Sequence, residues 1–421
     1  MKWSQLTSLV VAGSALSAMA ASSAGPSSCV TFDVNWNLLA FGFNGKDFNA
    51  GTQDTWAAAG TPTDITTTGR PPFDMPNTTC YLAQFFNAIY VLNADSANPS
   101  SVYIYDVAKK SWSMQKVDTA NSGSSKTFDP TNFKAILDHD TNVFYSYSAG
   151  EMFALDMKEL VAATSAAIPW TDVQAPDLSA HTDNAQAQTP GANTDGYQPV
   201  MALAQNHIHF LGINGIDPGN AKIFVIHFSF MQPTPQFYGT KFPSTHGQAA
   251  SFFLDSGVQQ EFAFIPDDGS ATYVINVETN TTKTLTGPPV ADPFASYSAS
   301  TSALVQLTTD GKVAFLPYDP KTTTSGGTWS TLAKLPAITG SGTSTSTGGN
   351  TSSSGTPGSS SSGGSSSSSG GNSSNNGGSG SGNSSSQTQN GNGDKGGAVS
   401  LRQGMWGVLL GTVVAGVGLM L

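Results

Sequence analysis

The chain has 421 residues, with 17 Lys and Arg against 28 Asp and Glu, a net charge of −11, six His, two Cys and 45 Gly. An acidic chain whose only adjacent basic pair is Lys109-Lys110 lacks the clustered cations that displace counterions from a phosphate backbone, which argues against nucleic-acid binding. Only 11% of residues are charged and none lies between Ile338 and Gly393, so the average mixes segments that have to be read separately.

Residues 1–20 begin with Lys2, run apolar from Leu6 to Met19 and end in the small-x-small pattern Ala18-Met19-Ala20. This is the form of a cleavable secretory signal; a membrane anchor is the alternative, but the apolar run is short for a hydrocarbon core of roughly 30 Å. Passage through an oxidising lumen makes Cys29 and Cys80 expected disulfide partners, closing a long loop, with a reactive or metal-binding thiol as the other reading. Asn77-Thr78-Thr79 and Asn280-Thr281-Thr282 are glycosylation sequons in the body, and Asn350, Asn372 and Asn383 begin further ones downstream.

Between Cys80 and Leu335 the apolar residues alternate with period two, so the body (residues 21–337) reads as all-β. One form recurs: strand, tight polar turn, strand. It occupies residues 81–92, 135–145 and 200–211, then Ser251-Phe252-Phe253-Leu254 with residues 261–265, and Leu304-Val305-Gln306-Leu307 with residues 313–316. The turns end at Asn87, Asn142, Asn206, Gln260 and Gly311, at steps of 55, 64, 54 and 51 residues. Four copies supply a third strand, ending near Asp106, Asp156, His227 and Asn276, and a fourth near Trp112, Trp170, Phe237-Tyr238 and Leu285. Four antiparallel strands per unit of about 50 residues form the blade of a β-propeller. With the N-terminal strands around Val30 and Phe41, six blades are expected and seven are the alternative; a pair of β-sandwiches is the competing architecture. Ring closure is expected to unite the first and last strands in one blade, joining residues near Val30 to residues near Trp329.

The stretch Val102-Tyr103-Ile104-Tyr105-Asp106, followed by a turn and Trp112, resembles the third-to-fourth strand signature of kelch repeats. The double glycine that kelch modules carry after the second strand is replaced by Asn93-Ala94 or Gly212-Ile213. The resemblance implies a kelch-like propeller. The copper radical oxidases built on such propellers would need a Cys cross-linked to a Tyr beside His ligands, and with both Cys expected in a disulfide that activity is disfavoured.

Titratable groups are sparse, with four Glu, and most Asp fall where turns want them, as at Asp268-Gly269 and Asp310-Gly311. Asp138-His139-Asp140 has the composition of a metal cluster but sits in a hairpin turn. His207 and His209 share one side of a strand, with His227 at the end of the next; packed or solvated histidines are the expected reading, and no metal or cofactor is assigned. No Gly-x-Ser-x-Gly occurs, so a nucleophile elbow is absent from the sequence. Residues 171–199 interrupt the repeat and carry Asp172, Asp177, His181, Asp183, Asp195 and Tyr197, which makes them the candidate recognition loop; a tolerated surface loop is the alternative.

Residues 338–392 are almost entirely Ser, Gly, Thr and Asn, which cannot bury enough apolar area to fold and are expected to form a disordered stalk. Residues 393–421 pass from a polar spacer into an apolar run that ends the sequence, the form of a glycosylphosphatidylinositol signal with Asn392 as the expected attachment residue; a transmembrane helix is the alternative. The layout resembles that of fungal cell-surface and wall proteins. The expected function is a binding or adhesion module on the outer face of the plasma membrane or in the wall, with carbohydrate or a surface protein as partner. An extracellular carbohydrate-active hydrolase or oxidase is the second expectation and a structural wall component the third.

Overall fold

The computed structural model describes residues 24–120, 126–183, 187–321 and 327–338. Six antiparallel sheets follow one another along the chain, five of four strands and one, the fourth, with a fifth short strand, each drawn from a continuous stretch. Their innermost strands are Cys29–Phe32, Thr79–Ala83, Phe133–Asp138, Val200–Ala204, Gly247–Ser251 and Ser296–Ala299, and each abuts the next until the sixth meets the first. The protein is therefore a six-bladed β-propeller. The expected signal peptide, the downstream sequons at Asn350, Asn372 and Asn383, the expected stalk beyond Ile338 and the expected attachment residue Asn392 lie outside the described residues.

Period-two alternation explains how the ring holds together. In a central strand successive side chains point to opposite faces, and each face of a blade meets a neighbouring blade, so both sets must be apolar. In Ala88–Leu92, Ala88, Tyr90 and Leu92 join the core shared with blade 3, while Ile89 and Val91 join the core shared with blade 1. The same division holds in Val200–Ala204 and in Glu261–Pro266. Six apolar cores result, one per blade interface. Aromatic residues on or near the outer strands fill the wider rim: Trp112 lies edge-on to Phe41 at 5.2 Å, and Trp170 stacks on Phe128 at 4.4 Å.

Three expectations are corrected. The first and last strands do not share a blade; blades 1 and 6 each own four strands, Cys29–Phe32 to Thr63–Asp64 and Ser296–Ala299 to Ser330–Thr331. Closure comes instead from side chains and a strap. Trp56, fully buried, meets Phe315 edge-on at 5.2 Å, its carbonyl accepts from Ala333 N, and Asn44 Nδ2 donates to Ala337 O across the seam. Second, residues 304–307 and 313–316 belong to the second and third strands of blade 6, because the innermost strand Ser296–Ala299 is short, Ser-rich and without an apolar run. Third, the innermost strand of blade 5 ends at Ser251, so Phe252 and Phe253 start a loop rather than continuing the strand.

Cys29 and Cys80 form a disulfide, with Cα atoms 5.7 Å apart, linking the innermost strands of blades 1 and 2. Among the described residues no helix is long and apolar enough to cross a membrane.

Candidate functional site

The axial cavity is built from the starts and ends of the innermost strands. At the level of their second residues, Val30, Cys80, Lys134, Met201, Gln248 and Tyr297 all face one chamber of about 210 Å³. At about 30 Å³ per water this is space for roughly seven waters, the size of a single small ligand group. Its wall is mainly apolar, with Leu82, Ile136, Leu203 and Ala250, and the hydroxyls of Thr31 and Ser298 interrupt it. Beyond the strand starts it opens into an outer bowl of about 730 Å³. Asn77, Tyr81, Lys134, Gln248 and Phe294 line both, so they form the neck.

The opposite end carries an aromatic floor. The loop after Ser251 brings Phe253 under the chamber, where it contacts Trp36 of blade 1 at 5.5 Å and His139 of blade 3 at 5.7 Å. Phe85 stacks on the other side of His139, with ring centroids 6.0 Å apart. Short polar bonds tie these floor loops together: Gln205 N donates to Gln259 O at 2.7 Å, and Asn206 Nδ2 to Asp140 Oδ2 at 2.8 Å. The cavity is thus a well with its mouth where the innermost strands begin.

Among the described residues, Lys134 is the one charged residue on the chamber wall. Its ammonium donates to Gln248 Oε1 at 3.0 Å, and Gln248 in turn donates to Pro293 O, so a polar bar crosses the neck from blade 3 through blade 5 to the start of blade 6. Burial pushes the Lys134 amine below the ordinary lysine range, because no carboxylate faces it across the chamber.

The candidate loop divides into two roles. Asp195 and Tyr197 reach the outer bowl, together with Thr194, Gln198 and Pro199. Tyr197 is also structural, since its hydroxyl donates to Leu211 O at 2.8 Å and accepts from Val200 N at 3.1 Å. Asp177, 1% exposed, organises the loop by accepting from Ser179 N, Thr189 N and His181 Nε2. Asp172 lies in the outermost strand of blade 3, beside Glu151, and Asp183 is exposed away from the bowl. Burial, and next the charge of Asp172, pushes the Glu151 carboxyl up, with Lys126 Nζ 3.5 Å away.

Burial raises the Asp177 carboxyl, but the bonds from Ser179, His181 and Thr189 outweigh it and hold the group down at about 2. A depressed carboxylate stabilises the folded loop above its unfolded pKa near 3.9 and loses that contribution as pH falls toward 2. Limited pepsin digestion is therefore expected to cut within residues 175–199 increasingly as pH drops from about 4 to about 2. The Asp177→Asn protein should already be cut there at pH 4; equal resistance of both proteins across the range would contradict the assignment.

The other titratable clusters are structural. His139 lies in the floor and is held neutral by burial, which lowers its pKa. His209 packs between Tyr238 and Phe262 and is pushed down to about 3, by burial and then by His207. Among the described residues no group of three or more His, Cys, Asp or Glu is placed to hold a metal. Of the two body sequons, Asn77 stands on the neck, its side chain accepting from Gly25 N at 2.7 Å, and exposed Asn280 lies in the turn before the outermost strand of blade 5.

Lys134, Gln248 and Phe253 were not singled out from the sequence. The available signal was positional: Lys134 and Gln248 are polar second residues of innermost strands, and only alignment of all six such strands puts them at one level. Together, fold and cavity define a six-bladed β-propeller with an axial well. No protein-family model matches the chain, and no curated protein matches it.

Proposed function

We propose that this propeller is an exported surface module, carried on the Ser/Gly-rich stalk and a glycolipid anchor, that binds carbohydrate through the mouth of its axial well. The observation that carries the reading is the well itself. It is mainly apolar on its walls, crossed at the neck by amide and ammonium groups, and ringed by Tyr81, Phe294 and Tyr197, the mixture of ring faces and hydrogen-bonding groups that a sugar uses. Asp195 on the insertion loop adds a rim contact. A surface or wall protein is the other partner class, which the same loop would meet at the mouth. We read the second blade as kelch-like, since Tyr105 and Trp112 stand opposite each other on its third and fourth strands with rings 4.9 Å apart.

The enzymatic alternative lacks support in the cavity. Glycoside hydrolysis uses two carboxylates facing one bond, and the described residues lining the chamber include no Asp or Glu. A copper radical site of the kelch type needs a free Cys for its cross-link, and both Cys are spent in the disulfide. The test is the purified full chain on a glycan array, together with phospholipase treatment of cells that express it. Saturable glycan binding and release by the lipase support the proposal. Retention on wall glucan after the lipase, with no glycan or protein ligand, would favour a wall scaffold instead.

A further inference from the structure

The neck of the well carries a cation with no counter-ion among the described residues, and this bears on the class of sugar, resting on the carbohydrate reading above. In an acidic protein, a lysine turned into a cavity normally finds a carboxylate. Among the described residues, Lys134 finds only the neutral Gln248 Oε1, and every other one lining the chamber is uncharged. The outer bowl, which Lys134 also lines, carries Lys126, Asp195 and His246, and none of these three lines the chamber. His246 is bonded to Asp267 at 2.8 Å, and Lys126 faces Glu151. A half-buried ammonium whose pKa burial has lowered gains most from a ligand that brings its own negative charge.

We infer that the well selects an anionic sugar, bearing one carboxylate or one sulfate, with the anion on Lys134 Nζ at the neck and the ring in the chamber. One group follows from one cation: a second negative charge would have no partner on this wall. The ring has apolar Leu82, Ile136 and Leu203 against its CH face and the hydroxyls of Thr31 and Ser298 within the same chamber. The chain's net charge of −11 works against anion capture at long range, so the preference depends on this local contact and weakens with added salt.

The experiment compares three oligosaccharides that differ only in the terminal residue, glucose, glucuronic acid or 6-sulfated glucose, titrated into the full-length protein. At least one acidic form is expected to bind about 10-fold or more tightly than the neutral one, the scale of a charge-assisted hydrogen bond. Whichever acidic form wins identifies the anion. Lys134→Gln should erase the preference while leaving thermal unfolding unchanged, and Lys134→Arg should retain it, which separates loss of charge from loss of fold. Equal binding of all three sugars by the wild-type protein would overturn this inference and leave the carbohydrate reading standing. Binding of none of them, or of any glycan on the array, would overturn both.

Discussion

Replacing Trp56 by Ala is expected to destabilise the propeller by about 3–5 kcal/mol, the range for removing a fully buried Trp. Five of the six blade interfaces are bridged by the chain itself, so their separation is limited by a covalent connection. The sixth, between blades 6 and 1, has no strand exchange among the described residues and relies on packing and on the strap after blade 6 with its hydrogen bonds to Trp56 and Asn44. Trp56 is the centre of that seam: it contacts Phe32 at 6.0 Å and Phe315 at 5.2 Å, and its indole N–H donates to Gly51 O at 2.8 Å. Leu332 and Leu335 of the closing strap bury against the same cluster. Urea unfolding of Trp56→Ala and of the control Trp329→Ala provides the measurement. Trp329 is half-buried on blade 6, with a partly solvated indole bonded to Thr286 O, and its loss should cost far less. Equal, small effects for the two variants would show that the ring is closed by something other than this seam.

Loss of the disulfide is the second large effect. Cys29 and Cys80 lie 51 residues apart, and in the chain-entropy treatment a loop of that length is worth about 4 kcal/mol in restricting the unfolded chain. The bond also fixes the innermost strand of blade 1, one side of the open seam, to blade 2. Reduction, or the double change to Ala, should lower the urea midpoint by the corresponding amount and make the Trp56→Ala effect larger, because both act on the same blade. A midpoint unmoved by reduction would contradict this role.

The blades are legible because their second and third strands are apolar on both faces, as residues 88–92 and 102–106 show. Phase was lost where an innermost strand carries little apolar content. Ser296–Ala299 reads as loop, so the Asp310-Gly311 turn was taken as the first turn of its unit when it joins the second and third strands. Closure was misjudged because strand exchange is a pairing of remote segments, whereas the actual seam depends on Trp56 and a strap after blade 6, neither of which carries a strand pattern. Residues 171–199 are legible as an insertion from their length and placement between blades, but that Asp195 and Tyr197 line the outer bowl is seen only in the structure. Convergence of Lys134 with Gln248 could not be read, since these residues are 114 positions apart and meet only when the ring closes. Phe253 was hidden for a related reason: an apolar pair after a strand looks like more strand, and only the floor geometry gives it another role.

Filling the chamber tests the central claim most directly. Ser298 faces the chamber from the innermost strand of blade 6, and Ser298→Trp would occupy a volume of about 210 Å³ while leaving the rim intact. The account predicts that the wild-type protein binds a glycan saturably, that Ser298→Trp loses that binding by about 100-fold or more, and that both proteins unfold at the same temperature. Undiminished binding by the filled variant would place the ligand elsewhere on the propeller and contradict the assignment of the axial well as the site.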